Sequence, residues 1–240
     1  MRQFRTQAII LNRTDYGEAD RIITFLTPDN GKVKAIAKGV RRSKSKLAGG
    51  IELFSVSDLS FIVGKSEINT LRSSRLITHY GNIVKDLDRT NIGYSLIKKL
   101  DKATEDSPES DYFYLLQEGF EALDDHKIDL GLIDLWFNMQ LLRLAGHTPN
   151  LRTDEKGHKL LPDKKYQFDF DNMRFATGEQ GKFSSDHIKF LRLAFSPNTP
   201  KSLNRISAAA SLSRELESVI QPMLGVYLRI WGSWPFRPEF

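Results

Sequence analysis

Residues 31–46, GKVKAIAKGVRRSKSK, hold seven Lys/Arg and no Asp/Glu, and side chains of that type at that density bind phosphates. Lys32, Lys34 and Lys38 alternate with Val33, Ala35 and Ala37. Strand side chains point to opposite faces in turn, so the alternation predicts a strand with one packed face and one face turned to a polyanion. After Gly39, the text VRRSKSKLAGG places Arg41, Arg42, Lys44 and Lys46 on what reads as a mobile loop able to wrap a flexible strand. A run of charges is most often only a solvated face. The distribution argues for more: residues 1–80 carry 14 Lys/Arg against 7 Asp/Glu, whereas residues 81–240 carry 21 against 23. The net +5 is therefore local, and a local excess of one sign steers polyanions where a uniform excess mainly affects solubility.

Other chemistries find little support. The absence of cysteine excludes disulfides, thiolate nucleophiles and Cys-ligated zinc or iron–sulfur clusters. Gly31-Lys32 lacks the upstream glycine and following hydroxyl of a phosphate-cradling ATPase loop. Asp15, Glu18 and Asp20 form the tightest carboxylate group and could hold a divalent metal. Acidic residues beside a Tyr-Gly turn are more often paired with neighbours such as Arg13 and Arg21, and that is the preferred reading. The five histidines, at 79, 126, 147, 158 and 187, contain no i, i+4 pair; His147 and His158 with carboxylates are the one conceivable metal set. No cofactor is implied. Phe4, Phe25, Phe54 and Phe61 read mostly as core, while Tyr16 and Phe4, each flanked by polar residues, are the candidates for stacking on bases.

The elements that must position these residues change character once along the chain. Residues 7–12, 21–27, 32–38, 51–63 and 67–78 read as strands, separated by the turn Pro28-Asp29-Asn30-Gly31 and by Gly64-Lys65-Ser66. Five strands without a helical period fit a small antiparallel barrel, and the OB-fold is the common five-stranded barrel that binds nucleic acid, through its second and third strands. From about Asn82 the period is helical. A first helix places Ile83, Leu87, Tyr94 and Ile97 on one stripe; a second opens at Ser107-Pro108 and buries Phe113, Leu116, Phe120 and Leu123. A third, residues 128–145, is apolar nearly all round and ends at Gly146. Residues 147–182 break the pattern with a hairpin turning at Asp171-Asn172. Helices resume at Ser184, with Ile188, Leu191 and Phe195 inward, stop before Pro197, and return with Leu212, Leu216, Val219, Met223 and Tyr227, Pro222 being expected to kink or shorten the last one. The expectation is a multidomain α+β chain: an OB-fold barrel over 1–80, then a helical bundle over 81–240 with an insertion at 147–182. No apolar run reaches transmembrane length and no secretory leader is recognisable, which points to the cytoplasm.

The residues from 7 to 56 closely resemble the RecO family of recombination mediator proteins. The resemblance rests on Tyr16-Gly17-Glu18-x-Asp20, on the turn from Thr27 to Gly31-Lys32, and on Ala37-Lys38-Gly39-Val40-Arg41-Arg42 followed by Ser-Lys. The helical part matches in architecture, with Leu141-Leu142-x-Leu144-x-Gly146 ahead of an insertion. The resemblance implies a non-enzymatic, nucleoid-associated protein of DNA repair and recombination that binds single- and double-stranded DNA, anneals complementary strands and helps load the recombinase onto strands coated by single-strand-binding protein. It implies RecR, in some lineages RecF, and the acidic tail of single-strand-binding protein as partners. It carries DNA contacts to Lys32, Lys34, Lys38, Arg41, Arg42, Lys44 and Lys46, with Arg72 and Arg75 from the last strand. Many members hold zinc with four cysteines in the insertion, and this chain has none, so hairpin and packing must hold it. The C-terminal segment from Trp231, with its Pro-Phe text, faintly echoes a single-strand-binding tail. The competing readings are an RNA-binding OB-fold protein of translation or RNA handling, and a scaffold with incidental charge.

Overall fold

A computed structural model describes residues 2–64, 67–104, 110–178 and 180–230. The proposed Ser107-Pro108 helix start, most of the 64–66 turn and the segment from Trp231 lie outside them. The chain divides into two compact units, Met1–Asp125 and His126–Phe240.

The first unit contains a closed barrel of β1 (Gln3–Tyr16), β2 (Asp20–Thr27), β3 (Gly31–Ala37), β4 (Ser55–Ile62) and β5 (Ile68–His79), in the order β1-β2-β3-β5-β4. This is the OB-fold. Closure differs from an all-antiparallel barrel: β3 pairs with β5 in parallel through Lys34↔Ile68, Ala35↔Asn69 and Ile36↔Thr70. Strands that alternate in direction along the chain run the same way on the third and the fifth, so this neighbouring pair is necessarily parallel. β1 is longer than the sequence suggests because it serves two neighbours. Its first half pairs with β4 (Gln3↔Ile62 to Ala8↔Ser57) and its second with β2 (Ile9↔Leu26 to Tyr16↔Asp20), with a register shift between Ile10 and Asn12. Inside, Ile23, Phe25, Ala35, Leu59 and Phe61 are at most 1% exposed.

The strand expected from residue 51 begins only at Ser55. Residues Ala48–Gly50 form a 3-10 turn, and Phe54 adopts φ +53. That left-handed residue turns its ring out of the barrel to meet Tyr94 at 5.2 Å and Phe120 at 5.4 Å. Those rings belong to α1 (Leu87–Ala103) and α2 (Ser110–Asp124), which therefore pack in the same unit as the barrel. Asp86 caps α1 by accepting from the amides of Asp88 and Arg89, and the buried Arg89 donates to the Leu123 carbonyl at the end of α2. Ile83 and Ile97 are buried as expected, whereas Leu87 and Tyr94, also expected inward, are exposed; the apolar buried stripe of the helix is Ile92, Gly93, Leu96, Ile97 and Leu100. Ile83 belongs to a separate 3-10 turn ahead of the cap, so a helical count begun there carries the wrong phase.

In the second unit α3 (Leu130–Leu144), capped by Asp129, is buried without interruption from Leu132 to Leu142. Two of its polar side chains find carbonyls: Trp136 donates to Asn198 at 2.7 Å and Gln140 to Ser196 at 2.9 Å. The hairpin of β6 (Tyr166–Asp169) and β7 (Arg174–Thr177) precedes α4 (Ser185–Ala194), a short α5 (Pro200–Leu203) not anticipated, and α6 (Ala209–Leu228). Thr199 caps α5, with Pro200 in its first turn. Pro222 does not shorten α6, which runs six residues beyond it to Leu228. The insertion is held by Tyr166, Phe168, Phe175 and Phe183, packed edge to face, and by Glu155, which accepts from both amide and hydroxyl of Thr177. These residues do not fit a zinc ion. His147 stacks on Tyr227, His158 faces Asp154, and among the described residues no group of three or more suitable donors converges.

Gly93 stands where α1 crosses Phe54, and an added Cβ would lie 2.6 Å from the ring. Gly93→Ala is expected to lower stability by about 1–3 kcal/mol through overpacking, read as a lower midpoint in urea; an unchanged midpoint would show that this packing yields freely.

Candidate nucleic-acid interface

The basic segment is a shaped structure. At the end of β3, Gly39 takes φ +65 and the chain doubles back through hydrogen bonds from Arg42 N to Gly39 O and from Ser45 N to Arg42 O. Val40 is buried with the barrel core and Leu47 packs against it, so two apolar residues bracket the cations between them. The segment is also tied to the β1–β2 hairpin. Asp20 accepts the Gly39 amide at 2.7 Å, and the Arg41 amide donates to the Ala19 carbonyl at 2.9 Å. The expected mobile loop is thus a series of turns with anchors on two sides.

Lys34 stands exposed on the outer face of β3, and Lys38, Arg41, Arg42, Lys44 and Lys46 are exposed beyond it. Lys32 differs. Its Nζ donates to the carbonyls of Asp101 (2.6 Å) and Thr104 (3.0 Å) and pairs with the Asp101 carboxylate (2.9 Å), leaving the side chain 13% exposed. Free carbonyls at a helix C-terminus attract a cation, so Lys32 closes α1 and is not presented to a ligand. Its cross-strand partner Leu26 is likewise buried, with helices against this end of the barrel.

The open end of the same face follows from register. Asn12, Thr24, Lys34 and Ile68 lie in one row across β1, β2, β3 and β5, and Thr14, Ile22, Ile36 and Thr70 in the next. Tyr16, more than half exposed, lies beyond them on β1. Half-buried isoleucines, short polar side chains, one free aromatic ring and flanking cations form a surface on which bases can stack while phosphates meet charge. Phe4, the other stacking candidate, instead lies on Phe61 at 5.0 Å and belongs with the core.

The carboxylates nearby are engaged. Asp15 lies between Arg21 (2.7 Å) and Arg41 (3.5 Å), and the Arg21 hydrogen bond, reinforced by the charge of Arg41, holds its carboxyl below the usual range. On the β4–β5 side, Asp58 is clasped by Arg5 from β1 and Arg75 from β5, which pull its pKa down to about 2. Arg75 is the direct cross-strand partner of Asp58, and Arg5 is the diagonal neighbour. Arg72 is exposed on β5. Reading β1 as starting at residue 7 left out Arg5; alternation carried back to Gln3 would have placed it on the outer face.

The model of the recombination protein O N-terminal domain matches residues 1–80, and that of its C-terminal domain matches residues 84–233. The chain belongs to the RecO family. It is similar to the DNA repair protein RecO of Dehalococcoides mccartyi, 37% identical over 165 residues, covering 68% of this chain and 64% of the relative. The RecO of Desulfatibacillum aliphaticivorans is 34% identical over 149 residues (61% and 58%), and that of Bifidobacterium longum subsp. infantis 36% over 156 (64% and 65%). The match spans a little under two-thirds of each of these relatives' lengths. The RecO N-terminal match coincides with the barrel, and so with every residue of the basic face except the helix carbonyls that take up Lys32.

The Asp58 clasp has a pH signature. Its folded pKa lies below the ordinary carboxylate value, so its stabilisation is complete above about pH 4 and lost as pH falls towards 2. Urea unfolding should show Asp58→Asn less stable than wild type at neutral pH, with the difference shrinking through that window. A difference constant down to pH 2 would contradict the assignment.

Proposed function

We propose that this chain is a DNA-repair and recombination mediator that acts by binding and handing over nucleic acid, without bond chemistry. The observation that carries the reading is the outer face of β2 and β3 in an OB barrel, continuous with a pinned segment presenting Lys34, Lys38, Arg41, Arg42, Lys44 and Lys46, in a family whose relatives are named DNA repair proteins. Phosphates would meet these cations, with Arg72 and Arg75 extending the charge along β5, while unstacked bases lie against Tyr16, Ile22 and Ile36. Lys32 supports the fold of the site and contacts no strand in this reading. Binding two complementary strands on such a sequence-blind surface would promote annealing. Handover would bring the strand to a recombinase in the cytoplasm, at the nucleoid, with RecR and RecF as assembly partners. Among the described residues no helix is long and apolar enough to cross a membrane. In the second unit, a groove of about 980 Å³ combines Leu151, Leu160 and Phe195 with Arg152, Lys159 and Arg192. Apolar floor and basic rim suit an acidic peptide with an apolar end, which supports the tail of single-strand-binding protein as a partner.

The test is annealing of complementary oligonucleotides, bare and coated with single-strand-binding protein, by wild type and by a variant with Lys38, Arg41, Arg42, Lys44 and Lys46 changed to Ala. Wild type should anneal both. The variant should fail, and the slope of log affinity for single-stranded DNA against log salt should become shallower by about 3.5, at roughly 0.7 for each of the five phosphates no longer neutralised. Equal annealing by both proteins, or none by wild type, would overturn the reading. Tighter binding of ribo- than deoxyribo-oligonucleotides would favour RNA handling instead.

A further inference from the structure

The acidic hairpin beside the basic segment supplies no charge that would attract a phosphate, yet its geometry gives it a role. Asp20, at the start of β2, aims its carboxylate at the segment following β3, where Oδ1 accepts the Gly39 amide at 2.7 Å. One residue earlier, the Ala19 carbonyl accepts the Arg41 amide at 2.9 Å. Between these two anchors lies Val40, buried at 5% exposure. The segment thus leaves the barrel through three consecutive residues fixed from the hairpin side, and Gly39 at φ +65 permits the sharp change of direction. The cations that follow depend on that exit for their direction. A carboxylate beside a phosphate-binding surface is electrostatically unfavourable for binding, so its presence there needs a compensating benefit.

We infer that Asp20 is a positioning residue, whose hydrogen bond to the Gly39 amide sets the direction in which Arg41, Arg42, Lys44 and Lys46 are presented to backbone phosphates. The inference rests on the reading of this face as a nucleic-acid site. It separates geometry from charge, because the two predict opposite signs. Removing a negative charge from a phosphate-binding surface raises affinity by electrostatics alone. Removing the acceptor releases the exit of the segment and lowers affinity, since flexible cations must be ordered on binding.

The experiment measures affinity for single-stranded DNA at two salt concentrations for wild type, Asp20→Asn, Asp20→Ala and Asp20→Glu. Asp20→Asn keeps an oxygen acceptor at the same reach and should bind as tightly as wild type or more so. Asp20→Ala should bind about tenfold more weakly, the scale of one missing charge-assisted hydrogen bond. Asp20→Glu keeps the charge but carries the acceptor one methylene farther, and should also weaken binding; it keeps the test decisive if Asp20→Ala does not fold. Asp20→Ala binding as tightly as Asp20→Asn, or Asp20→Glu binding as wild type does, would overturn the inference. A variant with Arg41, Arg42, Lys44 and Lys46 changed to Ala is measured alongside. If it binds like wild type, the nucleic-acid reading itself fails; if it loses binding while Asp20→Ala and Asp20→Glu do not, only the positioning role fails.

Discussion

An odd number of alternating strands cannot close into a barrel by antiparallel pairs alone, and that constraint organises the first unit. It requires at least one parallel pair, and the strand order β1-β2-β3-β5-β4 assigns that pair to β3 and β5, so the chain leaving β3 cannot turn tightly into the strand beside it. It must instead cross residues 38–54 before β4 begins at Ser55. Much of what is of functional interest on this unit uses the crossing. The cations occupy its first half, between Val40 and Leu47. Its second half carries Phe54, whose left-handed backbone delivers a ring to α1 and α2. A barrel with β4 seated beside β3 would have dispensed with this connection.

Charge in this unit is arranged so that carboxylates serve structure while several cations remain presented. Asp58 is enclosed by two arginines, Asp15 lies between two more, and Asp20 accepts a backbone amide. Lys32 is the reverse case, a cation held by helix carbonyls and a carboxylate. The outcome is a surface whose positive potential comes from short stretches of chain that the fold holds in place.

The β3 stripe was legible because alternation over seven residues leaves one choice of inner face, and the burial of Val33, Ala35 and Ala37 follows it. The second half of β1 was not, because residues 12–16 are polar on both faces and form a strand only through pairing with β2. Pattern could not distinguish Lys32 from Lys34. Both lie on the outer face, and only the end of α1, some seventy residues later in the chain, separates them. The stripe of α1 was right at Ile83 and Ile97 and wrong at Leu87 and Tyr94, because the 3-10 turn at Ile83–Lys85 interrupts the count. At the site, the cations announced themselves by type and density. The pairing of Asp15 with Arg21 was also legible, but the bond from Asp20 to the Gly39 amide was not, since a hydrogen bond to a backbone amide across a hairpin has no signature in side-chain spacing. The aromatic packing that holds the cysteine-free insertion was likewise visible only as Tyr166, Phe168 and Phe175 in alternation, with Phe183 completing it from outside the hairpin.

Nucleic acid bound as proposed would occupy the open end of the β2–β3 face and the pinned basic segment. Amide hydrogen exchange of the full chain, with and without a single-stranded oligonucleotide, tests it most directly. Slowed exchange is expected in residues 13–24 and 34–47, with little change over β4 or in the second unit. Protection confined to the second unit, or none in residues 34–47 at saturating oligonucleotide, would contradict it.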